Sequence, residues 1–336
     1  MAFTVQRRSV IGTAMAVGVL GALALAPAQA QETSKLRVIF SIPPAPFLLP
    51  YYVAQDEGWY KKWGLETEEK TVSGDPNALR AMIAGEGDVT MIGPNTVIDA
   101  IVKGGPIKAF ASFQPITDYQ VITRADGGSL KELTDKSWAV FSPSGMTVEI
   151  PKMLLRKNGL DATKPQYLPV GGMSARMQAV VAKKVDVTMV DTFFAALAKK
   201  QGLVTVASIA KEFPNLGYGY AVATMQSLAD PKMKKALTIF TRGGIEGVRL
   251  IAKDPDKAAA IMKKRLPDVD LDLIKEVLVE LNATKVWGIN GGIERQITEF
   301  STKTFFDLGA ISGAPPYETI VDTSIVDAVI KEIGRM

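Results

Sequence analysis

The stretch Phe141-Ser142-Pro143-Ser144-Gly145-Met146-Thr147 gathers three hydroxyls and a glycine. Ser142, Ser144 and Thr147 can donate to an oxyanion or carbonyl, and Gly145 permits a close backbone turn. A helix is expected to start near Thr147, beside Met146, so its unpaired N–H groups would face the same point. Pro151 then falls in or near the first turn, where proline is tolerated. The same hydroxyls can equally do no more than cap that helix. Asp191 offers the opposite chemistry. Its carboxylate can hold an amine or amide N–H, or it can cap the helix that follows. Phe193, Tyr218 and Tyr220 can form an aromatic wall or merely pack. Ser41 and Pro43 in the loop Ser41–Pro44, the turn Gly74–Asn77, and Asn95 and Thr96 in Gly93–Thr96 complete the set, with Gln114 nearby. Asn95 can both donate and accept. A solute among these groups would turn an N–H or cationic end to Asp191 and an oxygen-bearing end to Ser144-Gly145, whereas Asp191 would repel a bare inorganic anion.

Two absences narrow the chemistry further. The chain contains no cysteine and no histidine. That removes disulfides, thiol nucleophiles and a lipid anchor on cysteine. Zinc sites built on imidazole or thiolate and the Ser-His-Asp triad are also excluded, leaving only an all-oxygen site for a hard cation. "GEG" at Gly85–Gly87 and "GYG" at Gly217–Gly219 lack the third glycine of a dinucleotide fingerprint, and no phosphate-binding P-loop is present. No cofactor and no metal are expected. The formal charge is +4, two units of it from Arg7 and Arg8, and the remaining basic residues are scattered among acids. Nucleic-acid binding would need a basic face, so no such partner is expected.

The elements that position these loops come in two copies. "DVTM" occurs at Asp88–Met91 and again at Asp186–Met189. The segment from Gly74 lies without a gap over that from Gly172, so Ala81, Ala84, Ala100 and Gly104 meet Ala179, Ala182, Ala198 and Gly202. Each copy reads strand, glycine turn, helix, short buried strand, helix, strand. In the first, Asp75 is expected to cap a helix with Pro76 in its first turn. Strands alternating with helices imply parallel sheets with helices on their faces. The fold class is therefore α/β, with two doubly wound lobes. "DYQVITR" can carry the chain out of the first lobe and "GYGYAVATM" back into it, a two-crossing hinge. One lobe is expected to comprise residues 35–117 and 219–336, the other 118–218. From Asp230 the chain turns helical, with capped helices in "DPKMKKALTIFTRGGIEGVRLIAK", "DPDKAAAIMKKRL" and "DLDLIKEVLVELN". In open α/β sheets ligands gather beyond the carboxyl ends of strands, which is where the loops above lie.

Residues 1–30 read as a signal peptide. Arg7-Arg8 precede an apolar run from Val10 to Ala26, and Ala28-Gln29-Ala30 fits the small-x-small cleavage rule. The run is near the lower length limit for a membrane anchor, but the cleavage residues and the polar "QETSK" favour removal. Arg7-Arg8 leave the twin-arginine route open beside the general one. A periplasmic protein is expected.

The segments "VAQDEGWYKKWGLETE", "ALRAMIAGEGDVTMIGPNTVIDAIVKGGPIKAFASF" and "LTDKSWAVFSPSG" resemble the periplasmic substrate-binding proteins of ABC importers in the nitrate, sulfonate, taurine and thiamin-pyrimidine group. The similarity runs to about Tyr220, with a looser helical tail. It implies a type II bilobal fold that closes on a small polar organic solute and docks on an ABC permease of the inner membrane, and a monomer is expected. A sensor presenting its solute to a membrane kinase is the alternative, and a hydrolytic enzyme using Ser and Lys a distant third. Enzymes in that group resembling yeast thiamin-pyrimidine synthase consume a histidine and carry a cysteine-rich motif. This chain has neither, so no enzyme is expected. Pocket residues differ strongly within the group, and the identity of the solute does not transfer.

Overall fold

The computed structural model describes residues 33–143 and 146–336. The expected signal peptide, Ser144 and Gly145 lie outside the described residues. From Thr33 onward the chain forms one compact unit.

That unit holds two five-stranded sheets of matching order. The first comprises β1 (Ser34–Phe40), β2 (Leu65–Thr71), β3 (Val89–Ile92), β4 (Ile107–Ala111) and a late strand, β10 (Tyr220–Thr224). The second comprises β5 (Gln120–Arg124), β6 (Ser137–Val140), β7 (Gln166–Pro169), β8 (Val187–Val190) and β9 (Leu203–Ser208). The orders are β2-β1-β3-β10-β4 and β7-β6-β8-β5-β9. Both sheets are mixed, not parallel throughout as the strand–helix alternation predicts. β10 runs antiparallel between β3 and β4, and β5 antiparallel between β8 and β9. Each is the strand that enters directly from the other sheet. Neither is reached by a strand–helix–strand crossover within its own sheet, the connection that makes neighbours parallel.

The repeated "DVTM" is explained by how each copy joins its neighbouring strand. Thr90 is in register with Ile39 and donates its hydroxyl to the Ile39 carbonyl at 2.9 Å. Thr188 is in register with Ala139 and donates to the Ala139 carbonyl at 2.8 Å. Asp88 accepts the backbone N–H of Arg37 at 2.8 Å, and Asp186 that of Ser137 at 3.0 Å. Both threonines are fully buried, so a hydroxyl there needs such a partner. The motif is a strand-to-strand clasp written once per lobe.

Helices cover the sheets. Those of the first half are α1 (Leu49–Asp56), α2 (Trp59–Lys62), α3 (Asp75–Ile83) and α4 (Pro94–Val102). The second sheet carries α5 (Met146–Lys157), α6 (Met173–Val181), α7 (Thr192–Lys200) and α8 (Ile209–Glu212). After β10 come α9 (Met225–Ala229), α10 (Pro231–Lys253), α11 (Pro255–Arg265) and α12 (Leu271–Ala283). The tail adds α13 (Arg295–Asp307), α14 (Tyr317–Ile320) and α15 (Ser324–Ile333). Asp230 and Asp254 cap α10 and α11, accepting from Met233 N at 2.7 Å and Lys257 N at 3.0 Å. Asp270 stands at the cap of α12 but makes no cap bond, pairing instead with Lys200 at 2.5 Å. That ion pair and Lys199–Glu276 tie α12 to α7, so a helix of the C-terminal half leans on the second sheet's layer. Pro151 lies inside α5, beyond the first turn, because that helix begins at Met146.

Candidate binding site at the crossings

The chain passes between the sheets twice, at Ser112–Tyr119 and at Phe213–Gly219, and the two passages run side by side. Ile116 and Gly217 form an antiparallel bridge, Thr117 N donates to Leu216 O at 2.9 Å, and Tyr218 N to Pro115 O at 3.1 Å. The Ser112 hydroxyl donates to Gly219 O at 2.5 Å. The Tyr218 ring stands edge-on to Tyr119 at 5.6 Å and to Phe47 at 5.3 Å. "GYG" is written for this packing: a Cβ on Gly219 would lie 2.5 Å from the Phe47 ring, and one on Gly217 2.8 Å from the Ser301 hydroxyl oxygen.

Against these rings lies a group of acids. Asp118 is 5% exposed, and its Oδ2 accepts from Thr192 N at 3.1 Å, while its Oδ1 has no partner. Asp191 caps α7, its Oδ1 accepting from Phe194 N at 2.8 Å. Burial pushes both carboxyls up, and the Asp118 charge pushes Asp191 further. Asp75 is not the cap of α3. Gly74 holds that place, and Asp75 reaches across to accept from Gly93 N at 2.8 Å. Burial raises the Tyr119 and Tyr218 phenols, and Asp118, Asp191 and Asp75 all add to the rise in both. Three carboxylates from α3, the first crossing and the mouth of β8 thus act on one pair of rings.

A single guanidinium faces them. Arg176, on α6, is 2% exposed and donates to Gly171 O at 3.2 Å and Met189 O at 2.9 Å. Its Nε has no partner, and burial lowers its pKa although Tyr119 and Asp191 favour its charge. Gln114 and Thr117 are each 1% exposed, and their Nε2 and Oγ1 have no partner. The Gln114 amide lies near enough to Asp118 to favour the carboxylate, yet no acceptor meets it with hydrogen-bond geometry. Buried polar groups are normally satisfied. Three such groups without a partner lie within five residues of one crossing.

The residues expected from the sequence divide. Asp191, Tyr218 and Gln114 belong to this cluster. Asn95, in the first turn of α4, is drawn to it, since a Cβ on Gly93 would sit 3.0 Å from both Asn95 Oδ1 and Asp75 Oδ2. Thr96 follows Asn95 and is half-buried. Ser41 is buried at the end of β1, its carbonyl accepting from Gly74 N at 2.9 Å, and Pro43 is exposed. Ser142 is half-buried, Met146 opens α5, and the Thr147 hydroxyl accepts from Phe141 N at 2.9 Å, closing the loop. Phe193 is buried edge-on to Phe194. Tyr220 is no part of an aromatic wall: its hydroxyl is bonded to that of Thr298 at 2.9 Å inside the first lobe. Asp118, Thr117, Tyr119, Arg176 and Phe47 were not anticipated. The one signal for the first three is "QPITDYQ", a polar stretch with neither helical nor alternating period at the junction of the halves.

Two surface depressions, of about 350 and 790 Å³, lie elsewhere, by Phe306 and Tyr317 and by Asp126 and Ser129. The smaller one includes the exposed ion pair Lys303–Asp307, and neither contains the orphaned groups. Among the described residues no cluster of acids could hold a metal ion, and no helix is long and apolar enough to cross a membrane.

A family model described as NMT1/THI5 like matches residues 45–258. The chain belongs to that family. YtlA of Bacillus subtilis strain 168, a putative binding protein by its name, is 20% identical over 329 residues, covering 92% of this chain and 94% of that protein. The periplasmic nitrate-binding protein NrtA from Synechocystis superposes with a TM-score of 0.72 at 11% identity, over 90% of each chain. The periplasmic aliphatic sulphonate binding protein SsuA from Escherichia coli gives 0.69 at 12% identity, over 87% of this chain and 93% of that one. At such identities these structures share the fold: two α/β lobes of the type II periplasmic binding proteins. NMT1/THI5-like membership and that fold agree with the resemblance in "DEGWYKKWGL" and "GEGDVTMIG".

Proposed function

We propose that this NMT1/THI5-like protein is a periplasmic solute receptor that captures a small polar organic solute between its lobes and passes it to an ABC permease. The observation that carries this reading is the set of buried, unpaired polar atoms at the crossings: Gln114 Nε2, Thr117 Oγ1 and Asp118 Oδ1. A lone buried polar group costs about 1–3 kcal/mol, a cost that a bound solute removes. The names of the structural relatives, a nitrate-binding and a sulphonate-binding protein, support a receptor role. The amino-terminal segment supports export, by either route. In this reading residues 35–117 with 219–336 form one lobe and 118–218 the other, the protein is a monomer, and the solute leaves chemically unchanged.

A thermal-shift screen of sulfonates, pyrimidines, amino acids and aromatic acids tests this. A true solute at 100 times its dissociation constant adds about 2.7 kcal/mol of stability, and mass spectrometry should recover it unaltered. Turnover of the stabilising compound would instead make the protein an enzyme.

A further inference from the structure

Resting on the receptor reading, the geometry points to a solute whose cationic nitrogen is seated between Asp118 and Asp191, against the Tyr119 and Tyr218 rings. The sequence drew attention to Asp191 alone, and an isolated acid at a strand mouth needs no ligand when it caps a helix. Asp118 changes the chemistry. It comes from a different element, is 5% exposed, and spends one oxygen on Thr192 N at 3.1 Å while the other is unpaired. Like charges buried together repel, and Asp191 is pushed up by Asp118.

The charged and titratable groups facing the pair come from every neighbouring element. Asp75 of α3 adds a third carboxylate that reaches the same rings. Arg176 of α6 is the one cation among the groups acting on Asp191, and two of its donors are committed to the carbonyls of Gly171 and Met189. The balance is three acids against one base. An anion brought here would meet net repulsion, while a cation would satisfy the free Asp118 oxygen beside the two tyrosine rings. Gln114 Nε2 remains as a donor for an acceptor elsewhere on the solute. This separates the chain from relatives named for nitrate or sulphonate, whose solutes are anions.

The test uses the purified protein, Asp118→Asn and Asp191→Asn. Both substitutions are isosteric and keep an oxygen able to accept from Thr192 N or Phe194 N. The probes are choline, agmatine, benzylamine and arginine against nitrate, methanesulfonate, taurine and benzenesulfonate, with thermal shift read at pH 5 and pH 8. Stabilisation by at least one cation, stronger at pH 8, and a roughly tenfold or greater loss of its affinity in Asp118→Asn are expected. Without any probe, each Asn variant should melt higher than wild type at pH 8 and show no such gain at pH 5. Stabilisation by the simple anions, unchanged or improved in Asp118→Asn, would overturn the cationic seat while leaving the receptor reading intact. A chain that no probe stabilises, and whose Asn variants melt like wild type at both pH values, would overturn the seat and count against the receptor reading as well.

Discussion

Asp191 serves two ends that conflict. One oxygen ends α7 correctly, while burial and Asp118 make its charge costly, raising its pKa to about 7, with Asp118 raised to about 6. Above pH 4 the unfolded chain has released these protons while the folded protein still holds them. Their contribution to stability is therefore present below the unfolded values and is lost as the pH climbs through about 6 to 7. Asp186 has the opposite sign. Burial opposes its charge, but hydrogen bonds from Ser137 and Arg124 outweigh that and hold its pKa down, so its contribution is lost as the pH falls. Denaturant melts of wild type and Asp191→Asn from pH 5 to pH 8 should diverge, with wild type losing stability as the pH rises. Parallel curves would mean that Asp191 is not buried as a charge. Asp191→Ala, which also removes the cap, should be less stable than Asp191→Asn by about 0.5–2 kcal/mol. Asp191 was legible because the repeat sets it at a strand mouth. Arg176 was not, since an arginine on a short helix looks solvated until its carbonyl partners Gly171 and Met189 are known.

At the scale of elements, the twofold "DVTM" clasp makes a quantitative claim. Thr90→Val and Thr188→Val each remove one buried hydroxyl and leave a strand carbonyl one bond poorer, at a cost of about 1 kcal/mol each. The two sit in different sheets with no shared partner, so their effects should add within about 0.5 kcal/mol. Chemical denaturation of both single mutants and the double mutant checks this, and strong non-additivity would mean that the clasps are not independent. The helix-and-strand order was legible because apolar period and proline–glycine punctuation fix it locally. The direction of β5 and β10 was not, since "QVITR" and "YAVAT" read the same whichever way a neighbour runs. Both strands arrive from the other sheet and not by a crossover within their own. Asp75 and Asp270 show a related limit: a residue in cap position is recognisable, but a partner 18 residues away in Gly93, or 70 away in Lys200, is not.

For the whole molecule, the candidate site lies on the two crossings, so in the proposed receptor a bend there would close the lobes and assemble the site together. The exposed ion pairs Lys199–Glu276 and Lys200–Asp270 join α12 to α7 as a further, weak link. The bilobal plan was legible from the internal repeat, because a unit used twice must form two similar bodies. The candidate site was not, because Gln114, Thr117 and Asp118 sit on a stretch with no period. Small-angle X-ray scattering, with and without the compound that raises the melting temperature most, puts the capture of a solute between lobes to the most direct trial. A smaller radius of gyration at saturation is the predicted result, and an unchanged profile from fully occupied protein would contradict it.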